Sequence, residues 1–258
     1  MHLIINLIKK IDNKFLFNIL RKFYNYIIYI NALFTLKNYP DILNSYFNYN
    51  NELDRLCDKY GSDKGFHNLK HRKLYLNRNP HNYTQLYNSL FAHCKDNVKL
   101  VLECGIGTNN PNIASTMGIE YRPGASLFVW RDYFKNAHIF GCDIDKDILF
   151  SEERITTNFV DQLNPKSIEQ MFLKINKNEF DIIIDDGLHS YQAAINFFTI
   201  SFNYLREGGV YIIEDVGQNY LYHLLIYLKN YNLEVYNFKS NRVKLLKDSN
   251  VVIIRKTN

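Results

Sequence analysis

Residues Val98 to Thr108 constrain this chain more than any other stretch. Val98, Leu100, Val101 and Leu102 form a short, nearly continuous apolar run, as in a parallel strand covered on both faces. The run stops at Glu103 and passes into Gly105 and Gly107 at a G-x-G spacing. Glycine suits such a turn because a side chain would hold the backbone off a ligand, and because the turn takes dihedrals that glycine adopts at little cost. A third glycine three residues after Gly107 would complete a dinucleotide fingerprint, but Asn110 and Pro111 stand there. An NAD-linked enzyme on the same sheet is therefore a rival that lacks part of its signal.

Similar apolar runs recur down the chain, and each stops at an acid. Residues Ala137 to Asp143 predict a second strand, whose terminal Asp143 stands where ribose hydroxyls are met in open α/β sheets. Asp145 and Asp147 read as helix-start residues. Ile155 to Val160 predicts a third strand, followed by Asp161 and Gln162. These two fit the amino edge of an adenine, and equally the cap of a helix over Pro165 to Lys174. Phe180 to Ile184 predicts a fourth strand, ending in Asp185-Asp186-Gly187-Leu188-His189. Val210 to Ile213 predicts a fifth, ending in Glu214-Asp215. Neighbouring strand ends would bring Asp185, Asp186, Glu214 and Asp215 to one rim. Adjacent carboxylates are awkward to bury without a cation. An all-oxygen set suits Mg²⁺ or a similar hard ion, while the bland alternative is caps and exposed loop residues.

The remaining segments frame this rim. Thr108 to Arg122 predicts a long loop at the carboxyl end of the first strand, where sites are commonly built. A helix follows from Pro123, with the sole Trp130 expected in plain core packing. A helix over Ser190 to Arg206 is stopped by Gly208-Gly209. Another is predicted over Tyr220 to Tyr231. Strands over Leu233 to Phe238 and Val251 to Arg255, with a turn near residues 247–250, would add an antiparallel edge pair. A chain of 258 residues accommodates one such α/β core with a small appendage. The expected division is a helical extension over 1–50, cap helices over 51–97, and the sheet domain over 98–258. The excess of five basic residues is mild, and no basic-aromatic block marks a nucleic-acid face. Cys57, Cys94, Cys104 and Cys142 form no C-x-x-C pair, which fits a reducing cytoplasm and no zinc. No signal peptide or membrane span is expected. The apolar extension reads as a helical cap or oligomer contact, with peripheral membrane association as the sharper alternative.

The segments Y-G-S-D-K-G (60–65), H-N-Y-T-Q-L-Y (81–87), L-E-C-G-I-G-T (102–108), P-G-A-S-L-F-V-W-R-D-Y-F (123–134), G-C-D-I-D (141–145), D-D-G-L-H (185–189) and G-G-V-Y-I-I-E-D (208–215) resemble the metal-dependent sugar O-methyltransferases of macrolide tailoring (the mycinamicin type) and related enzymes of bacterial capsule and surface-polysaccharide loci. The resemblance covers about Leu53 to Val216. It implies the class I methyltransferase fold: a Rossmann-like seven-stranded sheet, mostly parallel, with an antiparallel edge strand. It implies S-adenosylmethionine and Mg²⁺ as cofactors, and an acceptor that is a small molecule or nucleotide-linked. It implies that Glu103, Gly105 and Gly107 cradle the cofactor's amino-acid and ribose parts, that Asp143 binds the ribose, that Asp161 and Gln162 meet the adenine, and that Asp185 meets the methionine part. Asp186, Glu214 and Asp215 match the metal carboxylates, and His189 the general base. Lys64, His81 and Tyr83 are the candidates for lid or acceptor contacts. Two departures stand out: Phe66 to Pro80 looks inserted, and Glu214 stands where Asp is common.

The resemblance leaves the acceptor oxygen open between a sugar hydroxyl and a phosphoramidate or phosphate oxygen of a capsule precursor. A non-catalytic scaffold is the rival from another class, and it predicts no cofactor binding. A homo-oligomer in the cytoplasm, with a peripheral membrane contact as an option, completes the expectation.

Overall fold

The structure, a computed structural model, describes residues 51–65, 81–217, 219–237 and 250–257, with eight residues between 16 and 27 that are helical. The proposed insertion over 66–80, the turn near 247–249 and most of the extension lie outside the described residues.

Eight strands form one sheet: β1 (Leu100–Cys104), β2 (His138–Asp143), β3 (Ser151–Glu152), β4 (Ile155–Phe159), β5 (Phe180–Asp185), β6 (Leu205–Val216), β7 (Asn232–Asn237) and β8 (Asn250–Arg255). Their order is β3-β4-β2-β1-β5-β6-β8-β7. The central five, β4-β2-β1-β5-β6, are parallel. β3 adds a two-residue antiparallel flap on β4 beyond the expected seven strands. The expected antiparallel pair is present, and β8 is the strand that runs against the sheet, inserted between β6 and the edge strand β7.

Strand alternation explains why the runs are apolar throughout. Leu102, Ile183, Tyr211, Ile213, Val252 and Ile254 pack to one face. Val101, Ile182, Ile184, Val210, Ile212, Val251 and Ile253 pack to the other. Successive side chains of a strand point oppositely, so a sheet covered twice needs both sets apolar. The first face is covered by α4 (Pro165–Ile175), α5 (Tyr191–Ser201) and α6 (Leu221–Tyr227). The second is covered by α1 (Glu52–Tyr60), α2 (Tyr83–Phe91) and α3 (Ala125–Tyr133). The cap helices therefore share a hydrophobic core with the sheet.

Local chemistry sets the helix starts. Asn51 and Asp54 form a reciprocal capping box at α1 (3.0 and 3.2 Å). Asn164 with Pro165 opens α4, and Ser190 caps α5. The helix expected to reach Arg206 ends at Ser201, followed by a 3-10 turn over Phe202–Tyr204. Leu205 pairs with Phe180 and opens β6 instead. A carboxyl-terminal strand contact outweighs the helical periodicity there.

Candidate active site

The parallel strands end together, and the turns beyond them enclose a cavity of about 870 Å³. The glycine turn forms one wall. Gly105 (φ +85°) sits where an added Cβ would lie 2.0 Å from the Asp186 carbonyl oxygen. Gly107 (φ +81°) lies under the Tyr121 ring, 2.3 Å from where its Cβ would be. Both positions are left-handed, and both need the absence of a side chain. The loop after the turn contributes Ile113, Met117 and Tyr121 to the lining.

Asp143, at the end of β2, accepts from the Ile106 and Asp145 amides (2.9 and 3.0 Å) and lines the cavity. Burial raises its pKa, against those backbone hydrogen bonds. Asp161 and Gln162 also line the cavity, but both already hold structural bonds. Asp161 accepts from the Leu163 amide (2.9 Å). Gln162 donates to Asp185 (2.6 Å) and accepts from the Leu188 amide (2.8 Å), bracing the D-D-G-L turn. Asp185 itself is absent from the cavity lining and buried. It shares the strand face of Ile183, opposite to Asp186, because adjacent residues alternate. Its Oδ2 has no hydrogen-bond partner, and burial raises its pKa to about 6.

Asp186, His189 and Asp215 converge. Each offers a ligand atom within 4.8 Å of the others, the one such cluster among the described residues. His189 Nε2 lies 3.1 Å from Asp186 Oδ1, and its Nδ1 4.0 Å from Asp215 Oδ2. His189 (φ +52°) and Asp215 (φ +51°) both hold the left-handed conformation. A non-glycine residue there costs of order ~1–3 kcal/mol, and the fold spends it to turn both side chains to one point. Burial alone would lower the His189 pKa, but Asp186, then Asp215, hold it at about 9. Burial would raise Asp186, yet Lys64 and His189 bring it well below the usual carboxylate range.

Glu214, the third expected metal carboxylate, lines the same cavity as Asp186 and Asp215. Its side chain lies on the face of Val210 and Ile212, under the cap, where it accepts from Tyr87 Oη and from Lys64 Nζ (2.6 Å). Burial pushes its pKa well up. Asp215 accepts from Tyr83 Oη and lies 3.6 Å from His81 Nε2, so His81 and Tyr83 reach the rim. Lys64 lines the cavity, is 3% exposed as a residue and has its ammonium among the carboxylates of Glu103, Asp186 and Glu214. Glu103 is likewise enclosed, accepting from Ser126 Oγ (2.8 Å) and Trp130 Nε1 (3.0 Å). Trp130 thus does more than fill core. The apolar stripe in sequence hid that its indole N–H meets a carboxylate one strand away.

The residues fit a sulfonium nucleoside and a divalent ion on structural grounds. The turn excludes side chains at two points, a ribose-height carboxylate lines the wall, and two carboxylates flank an imidazole across the cavity. No family model matches the chain. The chain is 32% identical over 140 residues to a rhamnosyl tetracenomycin-C 2'-O-methyltransferase of Streptomyces olivaceus, covering 54% of this chain and 34% of that protein. It is 31% identical over 171 residues to the L-olivosyl-oleandolide 3-O-methyltransferase of Streptomyces antibioticus, covering 65% and 38%. It is 30% identical over 142 residues to the mycinamicin VI 2''-O-methyltransferase of Micromonospora griseorubida, covering 54% and 33%. Among solved structures, MycE methyltransferase in complex with Mg, SAH and mycinamycin VI superposes with a TM-score of 0.57 at 23% identity, covering 80% of this chain and 54% of that one. The chain spans about a third of the length of these curated relatives. The resemblance to macrolide-type sugar O-methyltransferases read from the motifs is borne out, and the sheet is that of the class I methyltransferases.

Proposed function

We propose that the protein is an S-adenosylmethionine-dependent O-methyltransferase that acts on an oxygen of a sugar-type acceptor, with Mg²⁺ or a similar divalent ion as cofactor. The observation that carries this is the convergence of Asp186, His189 and Asp215 across one cavity from the Gly105–Gly107 turn. The similar sugar O-methyltransferases support the acceptor class. A place in capsule or surface-polysaccharide assembly rests on the motif resemblance.

In this reading Gly105, Gly107 and Asp143 hold the cofactor along the first two strand ends. Asp161 and Gln162 border the adenine end, and Gln162 works chiefly by bracing the turn that carries Asp186. Asp186, Glu214 and Asp215 would hold the divalent ion, which would supply positive charge to orient and acidify an acceptor hydroxyl. The acceptor oxygen forms a bond to the methyl carbon as the sulfonium C–S bond breaks, leaving a neutral thioether. The hydroxyl proton passes to His189. His189 must be neutral for this, and sharing Asp186 and Asp215 with a cation removes the support that holds its proton at about 9.

The test combines calorimetry and kinetics. S-adenosylhomocysteine should bind at micromolar strength with Mg²⁺ or with EDTA. His189→Ala should cut turnover by about 10²–10⁴-fold while cofactor and Mn²⁺ affinities stay near wild type. Loss of Mn²⁺ binding in that variant would make His189 a ligand rather than the base. No cofactor binding under either condition would sink the enzyme reading and promote the scaffold.

The apolar extension is read as a contact between copies of the chain. The support is Ile19, Phe23 and Ile27 at i, i+4 and i+8, which are 46%, 62% and 43% exposed.

A further inference from the structure

Two polar side chains of the cavity wall have no part in the reaction above. Asp63 and Tyr121 both line the cavity, and neither side chain has a hydrogen-bond or ion-pair partner among the described residues. The other carboxylates of the lining are engaged. Backbone amides hold Asp143 and Asp161, and side chains hold Asp186, Glu214 and Asp215. Tyr121 is 8% exposed, and a tyrosine hydroxyl so deeply placed ordinarily finds a partner. Burial, then the charge of Asp63, raises its pKa well above the usual phenol value, so the hydroxyl keeps its proton and remains a donor.

Backbone bonds hold both residues in place. The Asp63 carbonyl accepts from the His81 amide (2.7 Å). The Tyr121 amide donates to the Gly118 carbonyl (3.0 Å), and the Gly124 amide ties the end of that loop to the Ile106 carbonyl (2.7 Å). The Tyr121 ring occupies the space that a side chain at Gly107 would need. Asp63 is the charge that acts most strongly on the Tyr121 hydroxyl, so the wall offers an acceptor and a donor near one another. A carboxylate, which only accepts, suits an ammonium, and a phenol that only has to donate suits a carboxylate.

The sulfonium of S-adenosylmethionine carries three substituents. In the reading above, the adenosyl group lies along Asp143 and Asp161, and the methyl group faces Asp186, His189 and Asp215. The third substituent ends in an ammonium and a carboxylate, and it needs a wall of its own. Glu103, expected at that end, is fully buried and absent from the cavity lining. Its oxygens are turned to Ser126, Trp130 and Lys64. We propose that Asp63 and Tyr121 bind the amino-acid end of the cofactor, Asp63 accepting from the ammonium and Tyr121 donating to the carboxylate. This rests on the methyltransferase reading. It also gives the glycine at position 107 a second purpose, which is to admit the Tyr121 ring over the turn.

The experiment is calorimetry on the full chain with three thioethers. They are S-adenosylhomocysteine, 5'-(3-aminopropylthio)-5'-deoxyadenosine, which lacks the carboxylate, and 5'-methylthioadenosine, which lacks the whole amino-acid end. Tyr121→Phe should weaken S-adenosylhomocysteine at least about tenfold, the loss of one hydrogen bond to a charged group, and leave the other two ligands unchanged. Asp63→Asn should weaken S-adenosylhomocysteine and the aminopropyl ligand to a similar degree and spare 5'-methylthioadenosine, whose binding verifies that each variant is folded. Unchanged S-adenosylhomocysteine affinity in both variants would overturn the proposal while leaving the methyltransferase reading in place. Equal losses for all three ligands would overturn it too, because they would mark a damaged cavity rather than a lost contact. A wild type that binds none of the three would sink both readings.

Discussion

At the scale of single residues, the site depends on backbone conformations that side chains resist. Gly105 combines a left-handed φ with an approach to the Asp186 carbonyl that leaves no room for a methyl group. Gly105→Ala should destabilise the fold by at least ~1–3 kcal/mol and weaken S-adenosylhomocysteine binding at least about tenfold. Thermal unfolding and calorimetry would measure both, and unchanged values would remove the turn from the cofactor's path. His189 and Asp215 accept the same left-handed region without being glycine. Nothing in the residue types of D-D-G-L-H or E-D announces that conformation. The spacing puts a histidine near the second carboxylate, but only the folded backbone aims both at one point. Glu214 shows the converse. A carboxylate beside Asp215 looks like a ligand in sequence, and the sequence does not show that Tyr87 and Lys64 would donate to it at the cavity wall.

At the scale of elements, the end of β5 divides its work by strand alternation. Asp186 faces the cavity, and Asp185 faces Gln162 at the start of the α4 segment. Burial holds the Asp185 carboxyl at about 6, so the folded protein binds that proton more tightly than the unfolded chain does. The stabilisation is complete below the ordinary carboxyl range near ~3.9 and is lost as pH rises through about 6. Between pH ~4 and ~7 the wild type should lose on the order of 3 kcal/mol relative to Asp185→Asn. Urea unfolding at both pH values would show it, and parallel stability profiles for the two proteins would contradict it. The cap contributes in the same way, element by element. Tyr83 and Tyr87 share one face of α2, as their i, i+4 spacing predicts, and their hydroxyls reach Asp215 and Glu214 at the end of β6. That destination depends on how α2 lies over the sheet, which periodicity does not encode.

For the molecule as a whole, no helix among the described residues is long and apolar enough to cross a membrane. The extension instead offers Ile19, Phe23 and Ile27 along one exposed helix face. If copies of the chain meet there, light scattering should give a mass above 30.6 kDa, and Phe23→Asp should return it to the monomer while leaving cofactor binding intact. A monomeric wild type would free this face from that role. The sequence by itself determined the sheet. Apolar runs at Leu100–Leu102, Ile139–Cys142, Ile182–Ile184 and Val210–Ile213 have the length and β-branched content of strands covered on both faces, and each run stops at the acid that marks the carboxyl rim. It also determined which residues stand on that rim, since residue order along a strand is residue order in space. What the tertiary structure decided is how those residues share the work. Side-chain face, left-handed turns and the arrival of Lys64 from 122 positions upstream of Asp186 decide which partner each rim carboxylate takes. Such choices depend on long-range contacts and local charge compensation, and those exist only once the chain has closed on itself.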